Sequence, residues 1–319
     1  MTPTPPPFTS SRPRQVGLTL VELMVAMLLG LVVVGAVVSV LLSSRQSYST
    51  NSTLGQLQDN ARIAFELMAR DIRQAGSSPC GNSTVTDVLG GNGWYRWVNG
   101  AGLFGVDDAS SLTPLPGGPA PLAASPALVT RGVGQVSREA ITAGASCSAG
   151  VPMNAAPTDV GIATNDLVFA CDGSQAYIYQ AGAFNAGLPL AAGSAPGNSS
   201  TLGCNSFGTS AYVAPYQAYA WYVGAAGVGA PANTLSLYRA HYAGSALVSD
   251  EIVRGVTALR VNYLVNGGTN FVSAATVGTA WGTVSAVRLA LTLQTRTNPN
   301  NAANPEPLVR TFDTTIRVR

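Results

Sequence analysis

From Leu23 to Leu42 the chain runs for twenty residues without a charge, and Ser39 is the only polar one among them. At about 1.5 Å per helical residue this run is about 30 Å long, the thickness of a bilayer's hydrocarbon core. A secretory signal peptide has a shorter apolar region, about 7–15 residues, and a small-residue cleavage site after it. Beyond Arg45 the period changes. Apolar residues recur at Leu54, Leu57, Ala61, Ala64, Met68, Ile72 and Ala75, in steps of three and four that trace one face of a helix. Gln58, Arg62, Glu66, Arg70 and Arg73 occupy the other face. Arg62, Glu66 and Arg70 stand four apart, a spacing worth about 0.3 kcal/mol per pair. Gly76 then supplies a stop. Apart from a soft patch at 47–55, nothing interrupts the pattern, which predicts one helix from Leu18 to Ala75.

After Ser77 the period falls to two. Val287, Leu289, Leu291 and Leu293 alternate with Ala286, Arg288, Ala290 and Thr292. The same spacing links Leu259, Val261, Tyr263 and Val265, and again Phe312, Thr314, Ile316 and Val318. Further strands are expected at Trp94–Val98, Leu167–Cys171, Ala176–Gln180, Tyr212–Val223 and Thr234–Arg239. Such runs predict antiparallel sheet with one wet face. The stretches 107–126 and 181–210, rich in Pro, Gly, Ser and Ala, read as long surface loops. The expected fold is therefore α+β, a long N-terminal helix packed on a β-rich head.

Composition narrows the function. Charged residues make up 10% of the chain, well below the quarter typical of soluble domains. All 17 basic residues are Arg, against 15 acidic ones, giving a net charge of +2. That balance disfavours a nucleic-acid binder. Before the apolar run, Arg12 and Arg14 are the only charges, which favours an N-terminus held in the cytoplasm and the rest of the chain on the far side. Glu22, at the edge of the apolar run, is costly there and calls for a partner.

Enzyme signatures are missing. There is no Walker loop, nucleophile elbow or dinucleotide fingerprint, and the Gly-rich stretches lack strand–loop–helix context. A single His, His241, makes a His-based relay or metal site improbable, so it reads as a surface or partly buried structural residue. Asp107-Asp108 and Asp250-Glu251 are expected at turns, capping backbone groups. Asp159 and Asp166 offer oxygen ligands suited to calcium but match no EF-hand spacing, so solvated turn residues are the preferred reading. Cys80, Cys147, Cys171 and Cys204 lie beyond the span, where an oxidising compartment favours two disulfides. Four cysteines allow three connectivities, all open here. Zinc is disfavoured because no Cys-x-x-Cys pair exists. Neither metal nor cofactor is expected. Tyr212, Tyr216, Tyr219, Trp221 and Tyr222 form an aromatic cluster that fits core packing better than an exposed ligand surface.

One string carries a specific resemblance. Arg14-Gln15-Val16-Gly17-Leu18-Thr19-Leu20-Val21-Glu22-Leu23 resembles the processing site of type IV prepilins. The resemblance implies cleavage between Gly17 and Leu18 by a prepilin peptidase, then N-methylation of Leu18. Glu22 becomes the fifth mature residue, whose role in the family is to neutralise a neighbour's N-terminus. Major pilins usually have Phe where Leu18 stands, and minor pilins tolerate the change. The segments Phe65–Gly76, Ile252–Val261 and Trp281–Leu293 further resemble the PilW family of minor pilins. The implied organisation is a leader at 1–17, a transmembrane and assembly helix at 18–42, its amphipathic continuation at 43–76, and a periplasmic head at 77–319. Implied partners are other minor pilins, the major pilin, the prepilin peptidase and the inner-membrane assembly platform, with no nucleic acid. The chain would sit in the inner membrane and then in the pilus, contributing to twitching motility or adhesion. A type II secretion pseudopilin is the nearest alternative, and a membrane-anchored adhesin a more distant one.

Overall fold

A computed structural model describes residues 17, 19–81, 84–97, 100–114, 118–134, 138–139, 141–147, 150–154, 156, 159, 161–185, 187–193, 195–295 and 307–318. Helix α1 runs unbroken from Leu20 to Gln74, 55 residues. The soft patch at 47–55 is helical throughout, with the Thr50 and Thr53 hydroxyls turned back onto carbonyls four residues earlier. Leu18, the expected first residue, lies outside the described residues. The chain divides into two compact units, residues 1–54 and 55–319.

In the first unit, Leu20 to Tyr48 are exposed along their whole length. This part of the helix is long and apolar enough to cross a membrane.

In the second unit, α1 buries Leu57, Ala61, Ala64, Met68 and Ile72, the stripe drawn by the three–four spacing. Gln58, Arg62, Glu66, Arg70 and Arg73 are exposed, and Arg62 closes on Glu66 at 2.7 Å. Gly76 ends the helix at φ +77°, a left-handed conformation that glycine adopts without steric cost. Its N–H then donates to the Arg131 carbonyl at 2.8 Å.

The strands follow in chain order: β1 (Thr84–Asp87), β2 (Leu103–Val106), β3 (Ala127–Val133), β4 (Arg138–Glu139), β5 (Gly150–Pro152), β6 (Leu167–Cys171), β7 (Gln175–Gln180), β8 (Gly187–Pro189), β9 (Tyr212–Ala225), β10 (Leu235–Ala243), β11 (Ala246–Arg254), β12 (Val256–Val265), β13 (Val284–Gln294) and β14 (Val309–Arg317). A short helix, α2 (Ala274–Val277), precedes β13. The large sheet has the order β1-β7-β6-β9-β10-β11, and β2, β3 and β4 join it through β9 and β3. A second sheet has the order β12-β13-β14, and β5 pairs with β8. All pairings are antiparallel except β1 with β7. The fold is α+β, and of three core clusters the one that packs the helix combines its stripe, the inner faces of β12 and β13, and Trp221, Val223 and Leu237 from the large sheet.

Three expectations are corrected. Trp94–Trp97 forms turns, not a strand; Val98 lies outside the described residues. The side chains fold this segment back on itself. The Tyr95 hydroxyl donates to the Gly90 carbonyl at 2.7 Å, and Arg96 binds the Asp87 carboxylate and the Gly91 carbonyl. The wet face fails for the large sheet, because β3 and β6 are buried at every position. The reason lies in the stretches read as surface loops. They contribute Leu112, Leu188, Leu202 and Phe207 to the core, so both faces of the sheet are covered. Asp250 and Glu251 lie within β11, not at a turn; the β10–β11 turn falls earlier, at Gly244.

Candidate functional site

At the start of α1, the Thr19 hydroxyl accepts the Glu22 N–H at 3.3 Å, and its carbonyl accepts the N–H groups of Glu22 and Leu23. Thr19 thus caps the helix, and Glu22 sits in the first turn, where the helix dipole favours a negative charge. The Glu22 carboxylate is exposed, and among the described residues no cation pairs with it. A carboxylate at the edge of an apolar helix, with no counter-charge paired to it among the described residues, is a site that a positive group from outside can satisfy. Gly17 is described and exposed; Leu18, the residue proposed to be methylated, is not described.

The helix also carries a buried carboxylate, which pattern reading missed. Asp71 is buried, at 3% exposure, on the apolar stripe. Its Oδ2 accepts the Trp221 indole N–H at 2.9 Å and the Arg239 Nε–H at 2.9 Å, while Oδ1 accepts Arg239 Nη2 at 2.8 Å. The guanidinium in turn lies 3.4 Å from the centroid of the Tyr219 ring. Burial, the largest influence, raises the pKa of the Asp71 carboxyl, and the Arg239 charge with the Trp221 and Arg239 hydrogen bonds works against it. The bidentate fork identifies a paired carboxylate that fixes the helix against β9 and β10. The sequence did carry a signal. Asp71 follows Ala64 by seven residues and Met68 by three, so it falls among the apolar positions rather than opposite them.

The cysteines form two disulfides. Cys80 joins Cys171 with a Cα–Cα distance of 6.0 Å, and Cys147 joins Cys204 at 5.8 Å, both within the usual range. The first links the segment after α1 to the end of β6. The second ties the 181–210 stretch to the loop before β5.

Comparison with known families bears on both ends of the chain. Residues 12–38 match the prokaryotic N-terminal methylation motif. Residues 220–318 match type IV pilus-assembly protein W. Over these two segments the chain is similar to type IV pilus-assembly proteins. No curated protein and no solved structure matches the chain. The motif and the apolar helix support membrane anchoring, and the matched families are pilus proteins rather than enzymes. The PilW match begins within β9, at Ala220, and covers the whole β12-β13-β14 sheet. It includes Trp221 and Arg239 but stops short of their partner Asp71.

Other candidate residues in the head have structural partners. Asp107 accepts the N–H groups of Ala274 and Ala275 at the start of α2, and Asp108 accepts those of Ser110 and Ala124. Both act as caps, as expected. Asp159 faces Arg138 at 3.6 Å, while Asp166 caps the Ala163 N–H at 2.8 Å. Among the described residues, no three His, Cys, Asp or Glu side chains form a metal-binding group. His241 is half-buried on β10, 3.6 Å from Asp250; burial lowers its pKa, with the Asp250 charge opposing. Tyr216, Trp221 and Tyr222 are buried, so the aromatic cluster of β9 is mainly core.

Two acids outside α1 make the head sensitive to acid. Hydrogen bonds from Arg254, then from Ser236, hold Glu251 down to about 2. At Asp172 burial opposes the charge, but the N–H groups of Gly208, Ser174 and Gln175 together outweigh it and hold the carboxyl well below the usual range. Both pKa values are depressed on folding, so the stability they contribute is complete above the unfolded value of about 4 and is lost as pH falls towards 2. Asp71 has the opposite sign. The urea midpoint is expected to fall steadily between about pH 5 and pH 2.5. A midpoint that stays level across that interval contradicts this assignment.

Proposed function

We propose that this PilW-type protein is a minor pilin that primes and assembles type IV pili together with other minor pilins and the major pilin. A prepilin peptidase cuts between Gly17 and Leu18 and methylates Leu18. Before assembly the apolar part of α1 anchors the chain in the inner membrane, with the leader cytoplasmic and the head periplasmic, and the assembly platform moves it into the fibre. Twitching motility or adhesion is the cellular output.

The observation that carries this reading is the fully exposed apolar stretch of α1, with a Glu22 carboxylate at its start that no cation pairs among the described residues. Twenty apolar residues exposed on all sides need lipid or other helices around them. A carboxylate in that setting needs a positive group, and a neighbouring subunit's N-terminal amine supplies one. Removing the leader also removes Arg12 and Arg14, leaving 15 Arg against 15 acidic residues. The mature side chains are then neutral, and the basic excess acts only in orientation.

Mass spectrometry of the mature protein is expected to find N-methylated Leu18 at its start; any other N-terminus refutes the processing step. Glu22→Ala is expected to leave cleavage intact while sharply reducing surface pili. Pilus numbers equal to wild type would remove Glu22 from assembly. If deletion abolishes protein secretion and spares piliation, the subunit belongs to a type II secretion pseudopilus instead.

A further inference from the structure

Arg131 lies in the middle of β3 and is only 4% exposed. Its Nε donates to the Trp94 carbonyl at 2.8 Å and its Nη1 to the Ala101 carbonyl at 3.3 Å. Among the described residues no carboxylate pairs with it. The nearby carboxylate of Asp87 is engaged by Arg96 at 3.2 Å. A guanidinium carries five N–H donors, and two of them find acceptors among the described residues. The contrast with Arg239 is direct: that cation holds Asp71 in a bidentate fork, whereas Arg131 is more deeply buried and its hydrogen-bond acceptors among the described residues are backbone carbonyls. A buried cation without a counter-ion is costly, and proteins keep one where an anion completes it.

The side chain also lines a cavity of about 400 Å³, with Trp94, Phe104, Leu112, Thr113 and Trp281 around it. That volume lies in the range of small-molecule sites. The Phe104 ring centroid is 5.3 Å from the guanidinium carbon, and the Phe104 and Trp281 rings meet edge to face at 5.7 Å. The Trp94 indole N–H is already bound to the Pro114 carbonyl at 3.0 Å, so Trp94 offers the cavity apolar surface. One positive charge matches one negative charge, and a planar fork with N–H groups to spare matches a carboxylate. Aromatic walls suit a flat apolar body.

We propose that this cavity is a binding site for a small monocarboxylate with a flat apolar body, its carboxylate on the Arg131 guanidinium and its body among Phe104, Trp94 and Trp281. The site lies within the second unit, so it adds ligand recognition to an assembly subunit and does not depend on the assembly reading. Apart from Gly278 and Trp281, its lining also precedes the segment that matches the PilW family, so the ligand specificity belongs mainly to this chain's own head.

The test uses the full-length chain in a nonionic detergent, with 3-phenylpropionate and its neutral amide as ligand-observed NMR probes. The acid is expected to bind at least about tenfold more tightly than the amide, the difference one charge-assisted contact provides. Ser111→Trp, at an exposed rim position of the cavity, is expected to weaken the acid at least about tenfold without altering the circular dichroism spectrum. Arg131→Gln is expected to remove the preference for the acid. If that variant fails to fold, the acid-to-amide ratio of the wild type and the rim variant decide the matter. Equal binding of acid and amide, or no binding of either up to ~10 mM, overturns the proposal.

Discussion

Asp71→Ala is expected to destabilise the head by about 3–5 kcal/mol, the cost of leaving one partner of a buried ion pair behind. The carboxylate accepts two bonds from Arg239 and one from Trp221, and Ala replaces none of them. Arg239 then has no carboxylate against a side chain only 21% exposed, and the indole N–H of a fully buried Trp loses its acceptor. For a domain of this size the loss corresponds to about 10 °C in melting temperature. The double variant Asp71→Ala/Arg239→Met removes both charges and is expected to lose clearly less than the sum of the single changes. Urea unfolding followed by tryptophan fluorescence measures all three. A single variant within about 1 kcal/mol of wild type, or strict additivity in the cycle, means the pair is not the clamp between helix and sheet described above.

The second large effect is expected from the disulfides. Cys147 and Cys204 are separated by 57 residues and Cys80 and Cys171 by 91. Loops of that length give about 4 to 5 kcal/mol each in the chain-entropy account. Cys147→Ser/Cys204→Ser is expected to show more than entropy, because the bridge holds a segment that covers the large sheet. Leu202 and Phe207 flank Cys204 and are each 1% exposed. Freed from the bridge, they uncover β6 and β7, and limited proteolysis is expected to cut first within 181–210. A variant that resists protease as well as wild type does, with an unchanged urea midpoint, contradicts this account. The Cys80–Cys171 bridge is expected to matter for a different reason, since it fixes the exit of α1 beside β6.

Legibility in the sequence varied by element. The helix was readable from end to end because its two halves obey simple rules, an unbroken apolar run and then a three–four stripe. The seven residues of that stripe include all five of the apolar residues that α1 buries most deeply. The strands β6, β7, β9, β12 and β13 were readable too, since alternation or a compact apolar run survives in each. The turn at Trp94–Trp97 was not. Its aromatic content looks like a strand, and only the contacts of Tyr95 and Arg96 with distant groups turn it. The covering role of 107–126 and 181–210 was also hidden, because a loop that packs on a sheet needs only a few apolar residues among many small ones.

The sequence by itself determined the membrane-length helix, its amphipathic continuation, the processing motif and the β-rich character of the head. These depend on local period and on contiguous residues, which a linear reading captures. The tertiary structure decided which cysteines pair, that Asp71 meets Arg239 across 168 residues, and that Arg131 is buried beside a cavity without a carboxylate partner among the described residues. Each of these is a relation between groups far apart in the chain. Their energies come from burial and charge pairing, which exist only once the fold has brought the groups together.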